Sequence, residues 1–292
     1  MRIIIFLILL GYSYLVSAEA SEYGVALTST PVLNIPDFKG VFGGRGGQSL
    51  KTDRCGQVRE LEFIALPGSV FTIVNKQHFE TALIYQIETG EYSAPPNVRL
   101  YIDSRFVKLE RTTPAQRRPL MPPREDILLA LRASTGNPYV WGGNVLNGVP
   151  ELAEWFYKDI REDDRKRLIL AGLDCSGLLY YATGGSTPRN TSQLVEFGES
   201  VTITGKQAAE IAKMLHPLDL IVWNGHVIIV LDQQTAIESR IECGKPGNGG
   251  VVMAPLTKRI AEIMRTRKPV NNWPIGKQNN GVFVVRRWYN QL

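Results

Sequence analysis

Between Glu110 and Pro123 the chain carries four prolines and three arginines and no apolar periodicity, and this interruption limits the possible folds more than any other feature. Proline fixes φ, lacks an amide proton and drives the residue before it out of the helical region. Neither a helix nor a central strand can therefore run through the segment. Residues 111–123 read as a linker between two parts of the chain. A length of 292 residues is enough for two cores of ordinary size.

The two parts differ in period. Upstream, Leu61–Leu66, Val70–Val74, Thr81–Ile87, Val98–Ile102 and Phe106–Leu109 are short β-rich runs separated by Pro-Gly, Thr-Gly and Pro-Pro signals. Close spacing of such runs predicts a small all-β barrel or sandwich over 19–110. Residues up to about Phe42 show little periodicity. Gly43-Gly44-Arg45-Gly46-Gly47 reads as a flexible loop without the Gly-Lys-Ser/Thr ending of a phosphate-binding loop.

Downstream, Arg124–Ala133 is a short helix with Ile127, Leu128 and Leu131 on one face, and the charged run Arg161–Arg167 reads as a solvated helix face. Gln207–Leu215 is a short helix or turn. Leu218–Trp223, His226–Leu231, Thr235–Ser239 and Val282–Trp288 read as antiparallel strands, and Leu256, Ile260, Ile263 and Met264 share a helical face. The expected class for 124–292 is α+β, a helix ahead of a meandering sheet.

Composition excludes some partners. A hydrophobic content of 44% with 21% charged residues is incompatible with disorder throughout. A net charge of +5, dispersed along the chain, lacks the dense basic stripe of a nucleic-acid binder. Met1-Arg2, the apolar run Ile3–Leu10 and small residues at Ala18 and Ala20 read as a signal peptide over 1–18, cleaved after Ala18 or Ala20. The run is too short for a spanning helix, and no Cys follows to carry a lipid. The expectation is an exported, periplasmic or extracellular protein, not a lipoprotein, with no stable membrane insertion once the leader is removed.

The cysteines are Cys55, Cys175 and Cys243, an odd number for an exported chain. Cys175 stands where a helix begins, behind Asp174. Unpaired amides and the helix dipole at such a position favour a thiolate and a developing oxyanion. A nucleophilic thiol needs a partner to protonate the leaving group. Of the three histidines, His78 lies in a polar β-run and His216 in a turn before Pro217, whereas His226 follows Asn224-Gly225 and opens an apolar strand. His226 is the favoured base. With a hairpin centred near Asp232, Glu238 falls opposite His226 on the same sheet face, as ring orienter or simply as a strand-end group.

Tyr-Val-Trp-Gly-Gly at 139–143, Asp-Cys-Ser-Gly at 174–177, Pro-Arg-Asn-Thr at 188–191, Pro-Leu-Asp-Leu-Ile-Val-Trp at 217–223 and Gly-His-Val at 225–227 occur in this order. Together they resemble the NlpC family of papain-like cysteine peptidases of bacterial cell-wall peptides, over roughly 125–290. Leu-Tyr-Ile-Asp-Ser-Arg-Phe-Val at 100–107 resembles the close of a bacterial SH3-like domain. The resemblance implies a peptidoglycan or muropeptide substrate, no metal or other cofactor, and cleavage of the γ-D-glutamyl to diamino acid (diaminopimelate) bond through a thioester. The alternatives are a wall-binding module without activity and a thiol amidase acting on a non-wall peptide.

Within that resemblance Cys175 is the nucleophile, His226 the base, and Glu238 takes a third position that usually holds His. Tyr139, Asp174, Ser176, Arg189 and Thr191 fall on groove positions. Arg189 is expected to bind a substrate carboxylate bidentately, and Asp174 or Ser176 an amine or backbone group. Asp174 is equally a helix cap. The charged insert between Gly143 and Asp174 is longer than usual, a partner surface or a lid. Trp141, Trp223 and Trp273 are expected in the core. Cys55 and Cys243 either pair across the two parts, leaving Cys175 as the one thiol, or Cys243 stands as an exposed thiol in a loop.

Overall fold

A computed structural model describes residues 22–274, 276 and 280–289. The leader expected at 1–18 lies outside the described residues. In chain order the first part comprises β1 (Glu22–Ala26), β2 (Thr30–Leu33), a short helix α1 (Phe38–Val41), β3 (Phe42–Gly43), β4 (Ser49–Leu50), β5 (Leu61–Ala65), β6 (Val70–Phe79), β7 (Ala82–Glu88), β8 (Leu100–Asp103) and β9 (Val107–Glu110). Seven of these form one antiparallel sheet in the order β5-β2-β8-β7-β6-β1-β9, with β3 and β4 paired apart.

That sheet does not close, which corrects the expected small barrel. Its outermost strand β5 meets a side chain from the second part instead of a strand. Ile64 N donates to Asn144 Oδ1 at 3.1 Å, and Asn144 Nδ2 donates to Ile64 O at 2.9 Å. The first two strands have no counterpart in the periodicity. All four residues of β2 are buried, so it does not alternate, and Pro31 hides it further. β6 continues past Val74 through the polar Asn75–His78, which pair with β7 in a ribbon beyond the core.

The second part contains α2 (Arg124–Ala133), β10 (Asn144–Val145), α3 (Pro150–Phe156), α4 (Glu162–Leu168), β11 (Gly172–Leu173), α5 (Cys175–Ala182), α6 (Thr191–Leu194), β12 (Glu199–Ser200), α7 (Ala208–Met214), β13 (Leu220–Trp223), β14 (His226–Val230), β15 (Thr235–Ile241), β16 (Gly249–Pro255), α8 (Leu256–Met264), β17 (Lys268–Pro269) and β18 (Val282–Arg287). The sheet order is β12-β18-β13-β14-β15-β16, with β17 pairing β18 in parallel. Strand alternation makes the sheet apolar on both faces. Leu220, Val222, Val227 and Ile229 pack with Ile127 of α2 and Leu178 of α5. Ile221, Ile228 and Val230 pack with Ile211 of α7 and Ile260 of α8. The result is a mixed α/β, three-layer arrangement. Among the described residues no helix is long and apolar enough to cross a membrane.

The insert is neither a lid nor wholly a charged surface. Val149, Leu152, Tyr157 and Leu168 join the core of the first sheet, and Trp155 meets Phe106 edge-on at 4.6 Å between centroids. The charged run is the exposed side of α4, of which only Leu168 is buried.

The two parts are bound together at several points. Cys55 and Cys243 form a disulfide, leaving Cys175 as the free cysteine. Gln57 Oε1 accepts from Trp141 N at 2.9 Å. Arg117, in a stretch without helix or strand, donates to Tyr180 Oη at 3.0 Å, Gly184 O at 3.2 Å and Glu91 Oε2 at 3.3 Å. A bridge between residues 188 apart restricts the unfolded chain strongly, a constraint typically worth about 2–4 kcal/mol. Cys243→Ser is expected to lower the melting temperature by on the order of 10 °C, read by calorimetry. An unchanged melting temperature would mean that the bridge does not hold the parts together.

Candidate active site

The site is assembled where α5 starts. Asp174 caps the helix, its Oδ1 accepting from Gly177 N at 2.6 Å. A side chain at Gly177 would place Cβ 2.0 Å from Gly143 O, so two backbones approach there more closely than any other residue allows. The glycines of the Tyr-Val-Trp-Gly-Gly and Asp-Cys-Ser-Gly motifs thus have a mechanical reason: they press the 139–143 loop onto the first turn of the helix that carries Cys175.

His226 opens β14 through a two-residue Asn224-Gly225 turn, in which Gly225 has φ +97° and Trp223 pairs with His226. Such a turn suits a tight hairpin. Thr191 Oγ1 accepts from Gly225 N at 2.9 Å and anchors the turn beside the helix. Cys175 Sγ lies 3.9 Å from Gly225 O. The thiol is 7% exposed and the imidazole 15%.

Glu238 reaches His226, although not from the expected register. The β14–β15 ladder pairs Ile229 with Ile237 and Val230 with Ala236, which makes Glu238 a diagonal neighbour of His226 rather than the residue opposite. The turn is displaced because Asp232 Oδ1 accepts from Gln234 N at 2.9 Å and Thr235 N at 2.8 Å. Diagonal pairs remain within reach of long side chains, and His226 Nε2 lies 2.6 Å from Glu238 Oε2.

Sequence reading missed the group that holds Glu238. Arg259, on α8, donates Nε to Oε1 at 2.6 Å and Nη2 to Oε2 at 3.0 Å, while Arg240 Nη1 stands 3.4 Å from Oε1. Nothing in the spacing of α8 distinguishes Arg259 from an ordinary polar helix residue. Burial disfavours the Glu238 carboxylate, yet hydrogen bonds from His226 and Arg259 outweigh it and hold the pKa down at about 2. Burial likewise disfavours the imidazolium, but hydrogen bonding to Cys175 and to Glu238 raises the His226 pKa from 6.5 to about 9.

Two signed consequences follow from linkage. The His226 contribution to stability is complete below pH 6.5 and is lost as the pH rises through about 9. That of Glu238 is present above pH 4.5 and is lost as the pH falls toward about 2. Glu238→Gln removes a negative charge that favours the imidazolium, so the His226 ring is expected to titrate at lower pH. NMR of the ring protons would show the shift, and an unmoved titration would disconnect Glu238 from the ring.

Arg189 occupies a different role from the one expected. It is 2% exposed. Its Nη1 and Nη2 meet Asp174 Oδ1 and Oδ2 at 3.1 and 2.7 Å, Nη1 meets Ser176 Oγ at 2.9 Å, Nε meets Asn144 Oδ1 at 3.1 Å and Nη2 meets Gly143 O at 3.4 Å. The fork is already filled by Asp174, so no bidentate site is left for a substrate carboxylate. Asp174 and Ser176 are held by the same network.

A cavity of about 120 Å³ opens in front of the thiol, lined by Tyr139, Trp141, Asp174, Cys175, Ser176, Arg189 and Thr191, and from the first part by Glu62 and Tyr92. Of the residues expected at the site, Tyr139, Asp174, Cys175, Ser176, Arg189 and Thr191 line this cavity, whereas His226 and the Glu238 carboxylate behind its ring do not. Trp141 is 39% exposed rather than in the core, and Arg59 covers its ring at 4.3 Å. Tyr92 Oη donates to Glu62 Oε2 at 2.7 Å, and Asn34 Nδ2 donates to Oε1 at 2.8 Å. Burial pushes the Tyr139 and Tyr92 phenols well above their usual range, so both are hydroxyl donors at neutral pH. His78 and His216 lie in β6 and before β13, and neither lines this cavity. Among the described residues no cluster of three or more His, Cys, Asp or Glu is arranged to hold a metal.

No family model and no curated protein matches the chain. Among solved structures, an NlpC/P60 family protein from Bacillus cereus ATCC 10987 aligns at 15% identity and a TM-score of 0.33 over 92% of this chain; the chain spans 64% of that protein's length. NlpC2 from Trichomonas vaginalis aligns at 12% identity and a TM-score of 0.30, over 92% of this chain and 72% of its own. RipD from Mycobacterium tuberculosis, described as a non-catalytic NlpC/p60 domain protein adapted to peptidoglycan binding, aligns at 19% identity and a TM-score of 0.29, over 45% of this chain and 92% of its own.

Proposed function

We propose that the protein is an exported cysteine peptidase that cuts peptidoglycan stem peptides at the γ-D-glutamyl to diamino acid bond. The observation that carries this reading is the thiol at the head of α5, facing an imidazole that a buried, arginine-clamped carboxylate holds from behind. Residues 1–18 act as the signal peptide, 19–110 as an SH3-like module, 111–123 as the linker and 124–292 as the peptidase domain, with the insert packed on the SH3-like module.

In this mechanism Cys175 Sγ attacks the glutamyl carbonyl carbon, and the first amides of α5 receive the oxyanion. The imidazolium of His226 passes its proton to the departing amine, the C–N bond breaks and a thioester remains. His226, now neutral, takes a proton from water, whose oxygen displaces the thiolate and releases the acid. Glu238 keeps the ring in one orientation and stabilises its charged form, while Arg259 keeps Glu238 ionised.

Charge selects the other end of the substrate. In the cavity Asp174 is paired with Arg189, whereas Glu62 meets only neutral donors. Glu62 is the carboxylate available to the free amino group of a stem peptide. Loss of one charge-assisted hydrogen bond is worth about tenfold in binding. Glu62→Gln is therefore expected to raise KM about tenfold for a peptide with a free amine, with kcat little changed, and to leave an N-acetylated peptide unaffected. Equal effects on both peptides would remove Glu62 from this role.

The deciding experiment is mass spectrometry of purified muropeptides incubated with the mature protein and with Cys175→Ala. Cleavage at the D-glutamyl bond by the native protein alone is the expected result. Absence of cleavage by either would favour a wall-binding module, and cleavage of denatured protein but not muropeptides would favour a non-wall amidase.

A further inference from the structure

A second cavity, larger than the one in front of Cys175, is a trough of about 620 Å³ bounded by the glycine-rich turn after β3, the β7–β8 end of the first sheet and the α3 segment of the insert. Neither the turn nor the insert has a part in the chemistry at Cys175.

Four cationic side chains from separate stretches, Lys39, Arg45, Arg105 and Lys158, line this trough, against one carboxylate, Asp103. Lys39 is paired with Glu80. Neither Arg45 nor Lys158 has a carboxylate within ion-pair distance among the described residues. Asp103 is 1% exposed and is occupied by Arg105, Nε to Oδ1 at 3.0 Å and Nη2 to Oδ2 at 2.7 Å. The same guanidinium lies 4.6 Å from the Trp155 ring centroid and 4.8 Å from that of Phe156. A buried acid and two aromatic rings thus fix one arginine on a cavity wall, with Nη1 without a protein partner among the described residues. Pre-organised guanidinium of this kind suits bidentate recognition of an oxyanion.

The glycine-rich turn is fixed as well. Gly43, Gly44 and Gly47 have φ of +82°, +60° and +70°, and a Cβ on Gly43 would lie 2.0 Å from Phe156 O. Lys158 N donates to Gly47 O at 2.7 Å. The turn that presents Arg45 and the segment that presents Lys158 are therefore locked to each other, and both cations line one trough together with Trp155 and Phe156.

We propose that this trough is a binding site for a saccharide-sized ligand carrying a phosphate or carboxylate group, gripped by Arg105 and flanked by Arg45 and Lys158. The site is separate from the peptidase chemistry and does not depend on it.

Calorimetric titration of the full, disulfide-intact chain at low salt tests this with three probes: glucose 6-phosphate, a glucuronate-containing disaccharide and neutral cellobiose. The expected result is binding of an anionic probe but not of cellobiose, weakening as salt is raised. The probe that binds distinguishes phosphate from carboxylate. Arg45→Gln with Lys158→Gln, both at exposed positions, should weaken that binding at least tenfold with an unchanged melting temperature. Arg105→Met should abolish it, and the double variant keeps the test open if that change unsettles Asp103. Absence of anion binding at millimolar concentration, equal binding of cellobiose, or full affinity in the double variant would each overturn the proposal.

Discussion

Cys175→Ala is expected to lower muropeptide hydrolysis by at least about 10⁴-fold, a loss of the size seen when a covalent nucleophile is removed from an otherwise intact site. The thiol is small, and its removal empties little volume from the core beneath α5. The variant should fold and bind substrate, so that the loss falls on kcat. A second readout comes from the neighbouring ring. Hydrogen bonding with the Cys175 thiol is among the influences that raise His226 to about 9, so in the alanine variant the imidazole should titrate at lower pH. Retention of cleavage in Cys175→Ala, with the His226 titration unmoved, would remove both residues from the mechanism.

Arg189→Met should act on folding before it acts on substrate. The side chain is buried and its donors are distributed over Asp174, Ser176, Asn144 and Gly143. Breaking a buried ion pair by removing one partner costs about 3–5 kcal/mol, because the other charge is left without compensation. Here that charge is Asp174, which also caps the helix that carries Cys175. The expected outcome is a melting temperature lowered by on the order of 10 °C, with proteolysis beginning in the 139–145 loop. A normal melting temperature together with a raised KM would return Arg189 to the substrate-binding role that its motif suggests.

The contrast between these residues shows what a sequence of this kind makes legible. The helix at Arg124–Ala133 and the strands beginning near Leu220, His226 and Thr235 follow from local periodicity and turn chemistry. Cys175 and His226 are recognisable because each stands beside a local signal, a helix start in one case and an Asn-Gly turn in the other. Arg189 carried a recognisable motif but the wrong role, because whether a guanidinium faces solvent or a buried aspartate is decided by residues 13 to 46 positions away. Arg259 was invisible for the same reason: its partner is 21 residues earlier, on another element. The register of β14 and β15 differs from a hairpin centred near Asp232 because the hydrogen bonds of that one aspartate shift the turn. β1 and β2 escaped notice because a glycine and a proline interrupt their runs and full burial of β2 erases its alternation. The pairing of Cys55 with Cys243 rests on an approach between distant loops that no spacing rule supplies.

The amide of Asn144, which answers both backbone groups of Ile64, has a consequence for the chain as a manufactured object. A strand at the margin of a sheet is a template on which another molecule can pair, and proteins blunt such margins to stay soluble. Here the blunting agent is a side chain that belongs to the other half. A fragment ending before Arg124 would present β5 uncovered, and its characteristic failure would be self-association through that strand rather than simple unfolding. The halves are thus poor candidates for exchange as independent modules, because each exchange would have to carry the asparagine with it.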